Sequence, residues 1–392
     1  MKMNHLIKGS LSVRRWHSTH MPKRLKFCML GALIFAGCDK DLALPGHANK
    51  AEKGQDASTS ADEYFHMAVL PDTQYYTDPD GTHGGTMQML TNQLDWIVAN
   101  KTALEIKYVA HVGDITDNGD RPGHDYEWVN ASSQLNRLFT ANIPFGLAVG
   151  NHDQWCFGDP GSGATNDGYG TYFGKSKFTG KSWYGGAYGS SDNNDNHYDL
   201  FTEDGINYLV LYIEFNQQGY APGSGDCAGQ QHYSSTIETN VKNWANGIIA
   251  ANSGRKVIIV SHSILNPHTT SDATHNAKHR ALVGQGPDNL PGTFTTQGQY
   301  IYDNIAKPNQ NVFMMLSGHV TGEGYRVETQ NGHTVKVFLS DYQDRPYGGN
   351  GYMRIMKFNK TLNTINVRSI QPLPGANGEE LDLDSKFTVS MF

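Results

Sequence analysis

The chain has 392 residues, enough for one large domain or two ordinary ones with a full core. Hydrophobic residues make up 38%, aromatic residues 11% and charged residues 18%, which excludes a disordered chain and a coiled coil. The formal net charge is −7, so no basic surplus invites a nucleic-acid backbone.

Residues 1–37 carry seven Lys or Arg and no Asp or Glu. The cluster Lys23-Arg24-Leu25-Lys26 precedes an apolar run over residues 27–37. That run is shorter than the about 20 residues a membrane-spanning helix needs, and the layout is that of a secretory signal, with translation starting at Met1 or Met21. It ends Phe35-Ala36-Gly37-Cys38, which resembles the lipobox of bacterial lipoproteins, although Phe35 stands where that motif prefers Leu. The expectation is a signal peptide over 1–37, a polar tether over 38–62 and a single domain over 63–392. The protein would be exported to the cell envelope on a Cys38 lipid anchor, its one membrane contact; plain secretion is the alternative. Cys28 leaves with the signal, so Cys156 and Cys227 remain, and a disulfide between them fits an oxidising compartment. Two free buried thiols are the other reading.

The body alternates apolar strands with helices. Strands are predicted over 66–70, 106–112, 143–149, 206–215, 257–260, 312–316, 335–339, 352–358 and 364–370. Helices are predicted over 86–103, 126–139 and 233–252 and around 300–305, each with apolar residues at helical spacing. Residues 154–196, rich in Gly, Ser, Asn and Asp, read as a long surface insertion, and Asp192-Asn193-Asn194-Asp195-Asn196 as a solvated loop without the ligand spacing of a calcium loop. The order of elements gives an α/β sandwich as one large domain.

Five strands end in polar clusters: Asp72-Thr73-Gln74, Gly113-Asp114-Ile115-Thr116-Asp117, Gly150-Asn151-His152-Asp153, Ser261-His262 and Gly318-His319. Any one of these is ordinary turn chemistry. Five in series, rich in carboxylate, amide and imidazole, suit one or two divalent metals held beyond the carboxyl ends of strands.

This ordered set resembles the calcineurin-like metallophosphoesterase superfamily over residues 66–321. The resemblance implies a four-layer sandwich of two mixed β-sheets flanked by helices. It implies two divalent or trivalent metal ions (Mn, Fe or Zn) and hydrolysis of a phosphomonoester or phosphodiester, with a metal-activated hydroxide as nucleophile. By the same resemblance Asp114 bridges the ions, Asp72 and Gln74 bind the first, and Asn151, His262 and His319 bind the second. His152 contacts the phosphate and serves the leaving group, with Asp117 orienting its ring; the other reading of Asp117 is a helix cap.

Two positions depart from the family pattern. Gln74 stands where His is usual, and Gly318-His319-Val320-Thr321 replaces Gly-His-x-His. Both losses fall on the first metal, so Thr321 and Glu323 are possible completing ligands, with Glu323 alternatively a surface charge or a partner of Arg326. A degenerate binding or surface protein with an impaired first site is the competing function. Tyr75 and Tyr76 either line the substrate cleft or pack. Asp341-Tyr342-Gln343 and Arg345 border the same cleft without a metal role. His268, His275 and His279 read as exposed histidines. Removing residues 1–37 leaves 24 basic against 38 acidic residues, so the mature domain carries about −14.

Overall fold

The computed structural model describes residues 63–78, 83–162, 168–190, 192–223, 227–267, 293–375, 377–381 and 384–392. The expected signal peptide and tether, and His268, His275 and His279, lie outside them. No helix of the described residues is long and apolar enough to cross a membrane.

From the N-terminal side, β1 (Tyr64–Leu70) leads through α1 (Gln74–Thr77) and α2 (Met87–Asn100) to β2 (Ile106–His111), α3 (Asp125–Thr140) and β3 (Phe145–Leu147). Next come α4 (Tyr169–Phe173), α5 (Lys175–Phe178), β4 (Tyr184–Ala187), β5 (His197–Glu203), β6 (Ile206–Ile213), α6 (Ser235–Ala251) and β7 (Lys256–Ser261). A short ladder of β8 (Leu265–Asn266) with β9 (Thr293–Phe294) precedes α7 (Thr296–Ile301) and β10 (Val312–Ser317). The remainder is β11 (Gly322–Gln330), β12 (His333–Asp341), α8 (Pro346–Gly349), β13 (Met353–Asn359), β14 (Thr364–Gln371), β15 (Gly378–Glu379) and β16 (Lys386–Ser390).

One mixed sheet runs β15-β14-β13-β1-β2-β3, with β16 also on β14; the other runs β11-β12-β10-β7-β6-β5-β4. β1, β2 and β3 are mutually parallel, as are β6, β7, β10 and β12. The inward faces alternate as the pleat requires. Phe65, Met67, Val69, Tyr108 and Ala110 of the first sheet meet Tyr208, Val210, Ile258, Val260 and Leu316 of the second. The opposite face of the first sheet buries Leu90, Leu94 and Ile97 of α2 and Trp128, Leu135 and Leu138 of α3. The opposite face of the second buries Val241, Ala245 and Ile249 of α6 and Ile301 of α7. Three apolar layers between four layers of elements make the expected sandwich. At the start of α6 the Ser234 hydroxyl accepts from the Ile237 N–H at 3.2 Å and caps the helix.

Residues 154–196 are not a surface insertion throughout. Tyr169, Phe173, Phe178 and Trp183 from this stretch are buried against α3 and β3. Asn194, Asp195 and Asn196 are buried as well, with Asn194 bonded to Tyr184 and Asn196 to Glu214, so only Asp192 and Asn193 of that run reach solvent. Strands β4, β5, β8, β9, β11, β15 and β16 escape the sequence reading. Each is polar or short, and β5 turns His197 and Asp199 inward, which hides its alternation.

Candidate metal centre

All the motif residues sit just beyond strand carboxyl ends. Asp72 and Gln74 follow β1, Asp114 and Asp117 follow β2, Asn151 and His152 follow β3, His262 follows β7 and His319 follows β10. Ligand atoms of Asp114, His262 and His319 lie within 4.8 Å of one another. His262 Nε2 is 3.1 Å from Asp114 Oδ1 and 3.2 Å from Asn151 Oδ1. His262 Nδ1 donates to the Val112 carbonyl at 2.9 Å, which fixes the tautomer and turns Nε2 toward the cluster. Asn151 Nδ2 donates to the Tyr220 hydroxyl at 2.8 Å, leaving its amide oxygen on the same side. Across from these, Asp72 Oδ2 accepts from the His319 N–H at 3.0 Å. Asp72 Oδ1 and Gln74 Oε1 are buried and find no hydrogen-bond partner among the described residues. Gln74 Nε2 points the other way, toward Asp117 Oδ1 at 3.4 Å.

The glycines of the motifs make this convergence possible. A Cβ on Gly318 would stand 2.0 Å from Asp72 Oδ1, and one on Gly150 would stand 2.1 Å from Asp114 Oδ1. Asp114 (φ 50°) and His319 (φ 70°) adopt left-handed backbone, a strained choice that persists only where surroundings impose it. Asp153 imposes part of it. Its carboxylate accepts from the Ile115 and Thr116 N–H groups at 2.9 and 3.1 Å and from the Gly150 N–H at 2.9 Å, tying the second and third motif loops together. His111 holds the first loop, with Nε2 donating to the Thr73 hydroxyl at 2.9 Å and Nδ1 accepting from the Gly113 N–H at 3.1 Å.

His152 stands at the open side with its side chain 25% exposed. Its N–H donates to Asp114 Oδ1 at 3.0 Å. Its ring Nδ1 donates to the Asp117 carbonyl at 2.7 Å and lies 3.2 Å from the Asp117 carboxylate. The Phe157 ring packs on it at 4.8 Å. Asp117 does not cap the following helix: the N-cap of α3 is His124, and the Asp117 N–H donates to Glu127 at 2.6 Å.

Electrostatics separate the groups. Burial opposes charge on His152, but Asp114 and Asp117 outweigh it and raise its pKa to about 10. Burial likewise opposes ionisation of Asp114, yet His262 and His152 hold it well below the usual carboxylate range. Asp72 is raised well above that range by burial, then by the charge of Asp341 and of Asp114. Burial and the neighbouring His262 push His319 down to about 3, so it is a neutral imidazole with a free lone pair.

Several expectations need correction. Glu323 is not a metal ligand, a surface charge or a partner of Arg326. It is buried, paired with Arg345 and with Arg354 at 3.0 Å, and accepts from the Ser369 and Ser385 hydroxyls, so its oxygens are fully engaged away from the centre. Arg345 therefore belongs to this buried network rather than to the cleft. Thr321 is partly buried and directly precedes β11. Tyr76 is core, with its hydroxyl accepting from the Gly351 N–H at 3.0 Å. Tyr75 is partly buried and stacks on His83 at 3.7 Å. The expected disulfide between Cys156 and Cys227 is present, with their Cα atoms 5.6 Å apart.

Three contributors were not legible as site residues. Tyr220 comes from a loop with no motif. Asp153 lies inside a motif but works through backbone N–H groups. Asp341, placed by sequence at the cleft without a role, ends β12 and is buried 1% exposed beside Asp72.

The family model for calcineurin-like phosphoesterases matches residues 65–323. The Uncharacterized protein YvnB of Bacillus subtilis (strain 168) is 29% identical over 329 residues, covering 81% of this chain and 21% of that protein. The chain thus spans about a fifth of that relative's length. Among solved structures, a dimetal phosphatase from Danio rerio is 11% identical, with 84% of this chain and 100% of that chain covered at a TM-score of 0.47. A putative 5'-nucleotidase from Staphylococcus aureus is 12% identical, with 84% and 54% covered at a TM-score of 0.36. With the motif loops gathered beyond the carboxyl ends of strands from both sheets and the family match extending over most of the domain, the chain belongs to the calcineurin-like phosphoesterases.

Proposed function

We propose that the protein is a metal-dependent phosphoester hydrolase with a two-metal centre. The observation that carries this reading is the convergence of Asp114, His262 and His319 within 4.8 Å, next to buried, unpartnered oxygens of Asp72 and Gln74. Buried polar oxygens without partners are costly, and a cation relieves them. The donor set fits: Asp72, Gln74 and a shared Asp114 would hold one ion, and Asp114, Asn151, His262 and His319 the other. Bound there, the ions supply Lewis acidity toward phosphoryl oxygens and a means to ionise water at neutral pH.

The chain's own residues do the rest. His152, kept cationic by Asp114 and Asp117, faces the open side and offers Nε2 to a phosphoryl or leaving-group oxygen. The Asp117 carbonyl and carboxylate on Nδ1 fix the ring so that this proton points outward. Phe157 covers one side of the ring and limits its rotation.

We also propose export with lipidation at Cys38, a reading supported by the charge layout of residues 1–37 and by the disulfide, which needs an oxidising compartment. Mass spectrometry of the mature N-terminus tests it.

The test of function is turnover by the purified domain with Mn, Zn or Fe on an aryl phosphate and an aryl phosphodiester. Metal-dependent hydrolysis of either is expected. The competing reading, a binding or surface protein on this fold, rests on Gln74 and Thr321. No turnover with any of these metals on aryl or natural phosphoesters would decide in its favour.

A further inference from the structure

We propose that Asp341 is a ligand of the first metal, replacing the donor that the family pattern places at position 321. The inference rests on the two-metal reading above and extends it to a residue outside the family's motifs.

The topology brings Asp341 to the site. β12 runs parallel to β10, with Leu316 opposite Phe338 and Ser317 opposite Leu339. Asp341, two residues beyond Leu339, therefore leaves the sheet at the same carboxyl edge as Gly318 and His319. On its other side it pairs with Gly322, immediately after Thr321. The strand end of β12 is thus a sixth ligand position beside the five that carry motifs.

The side chain has the state of an unfilled ligand. Asp341 is 1% exposed. Its Oδ1 accepts from the Gln343 N–H at 2.9 Å, which orients the carboxylate. Its Oδ2 is buried and finds no hydrogen-bond partner among the described residues. Asp72 Oδ1 and Gln74 Oε1 of the first motif share that condition. Three buried oxygens with free lone pairs, two from the stretch after β1 and one from the end of β12, are what one small cation would satisfy together.

The exchange also alters the chemistry. A family-type first site has imidazole from positions 74 and 321. Here Asp72, Gln74, Asp341 and the shared Asp114 would form an all-oxygen set once an ion draws them together, whereas the second site keeps His262 and His319. Oxygen-only donors suit hard cations such as Mn or Mg, and imidazole suits Zn and Fe. The two sites should therefore differ in metal preference.

The experiment measures metal binding rather than turnover. Chelator-stripped wild-type domain and Asp341→Asn are titrated with Mn by calorimetry, and the exchange coupling of the Mn pair is followed by electron paramagnetic resonance. Wild type is expected to bind two equivalents and show a coupled pair. Asp341→Asn is expected to lose the coupled signal and weaken one equivalent at least roughly tenfold, the other staying in place. A crystal structure of Mn-soaked wild type supplies a readout independent of the variant's folding: an anomalous peak within coordination distance of Asp341 Oδ2. Two Mn ions with Asp341 bonded to neither, or two unaltered equivalents in Asp341→Asn, overturns this assignment and leaves the hydrolase reading standing. No metal bound by wild type at all overturns both.

Discussion

His152 carries a charge that its burial alone would forbid. Two carboxylates, Asp114 through space and Asp117 through the ring nitrogen, keep the imidazolium in place. Its backbone N–H touches Asp114, but its ring holds none of the unpartnered oxygens. Removing the ring should therefore remove chemistry and leave metal. His152→Ala is expected to lower kcat by roughly 10²–10⁴-fold with two metals still bound by elemental analysis. The loss should be smaller on an aryl phosphate with a very acidic phenol, which needs no proton as it leaves. A variant with full activity on a poor leaving group would show that His152 has no part in the reaction. Gln74 divides its amide between two directions, with its N–H toward Asp117 and its buried oxygen without a partner among the described residues.

At the scale of elements, the disulfide joins the two loops that frame the centre. Cys156 adjoins Phe157, which packs on His152, and Cys227 closes the segment carrying Tyr220, which orients Asn151. Cys156 and Phe157 both adopt positive φ, at 57° and 58°, a conformation that needs an external hold. The crosslink spans 71 residues, for which chain entropy gives about 4 kcal/mol. A Cys156→Ser, Cys227→Ser double variant is expected to lower Tm by a corresponding margin in thermal unfolding. It should also weaken turnover through loosened loops, seen as a fall in kcat that high metal does not restore. An unchanged Tm and unchanged kcat would show that both loops are held without it.

The whole molecule is acidic, at about −14 without residues 1–37, and it gathers Asp72, Asp114, Asp153 and Asp341 in one buried region. Burial and mutual repulsion push Asp153 and Asp341 up to about 7, and cations are the natural counterweight for such a group and for an anionic substrate. Metal should therefore stabilise the fold itself. At free metal 100-fold above Kd, linkage gives about 2.7 kcal/mol per ion, or a Tm rise of roughly 4 °C per ion over the chelated protein. Differential scanning calorimetry with and without chelator checks this; coincident transitions would mean that no tight site exists.

The sequence by itself determined the alternation of apolar strands with helices, the five polar strand ends and the order of the motifs, because these are local signals repeated along the chain. Tertiary structure alone decided which polar residues serve the centre. Glu323 and Asp341 are both carboxylates on neighbouring strands, yet Glu323 points into Arg345 and Arg354 while Asp341 keeps one oxygen without a partner among the described residues. That difference is set by strand register and side-chain direction across a sheet, which a one-dimensional pattern does not contain. The same holds for β5, whose polar His197 and Asp199 carry no sequence signal of burial yet pack against Tyr212 and Tyr108.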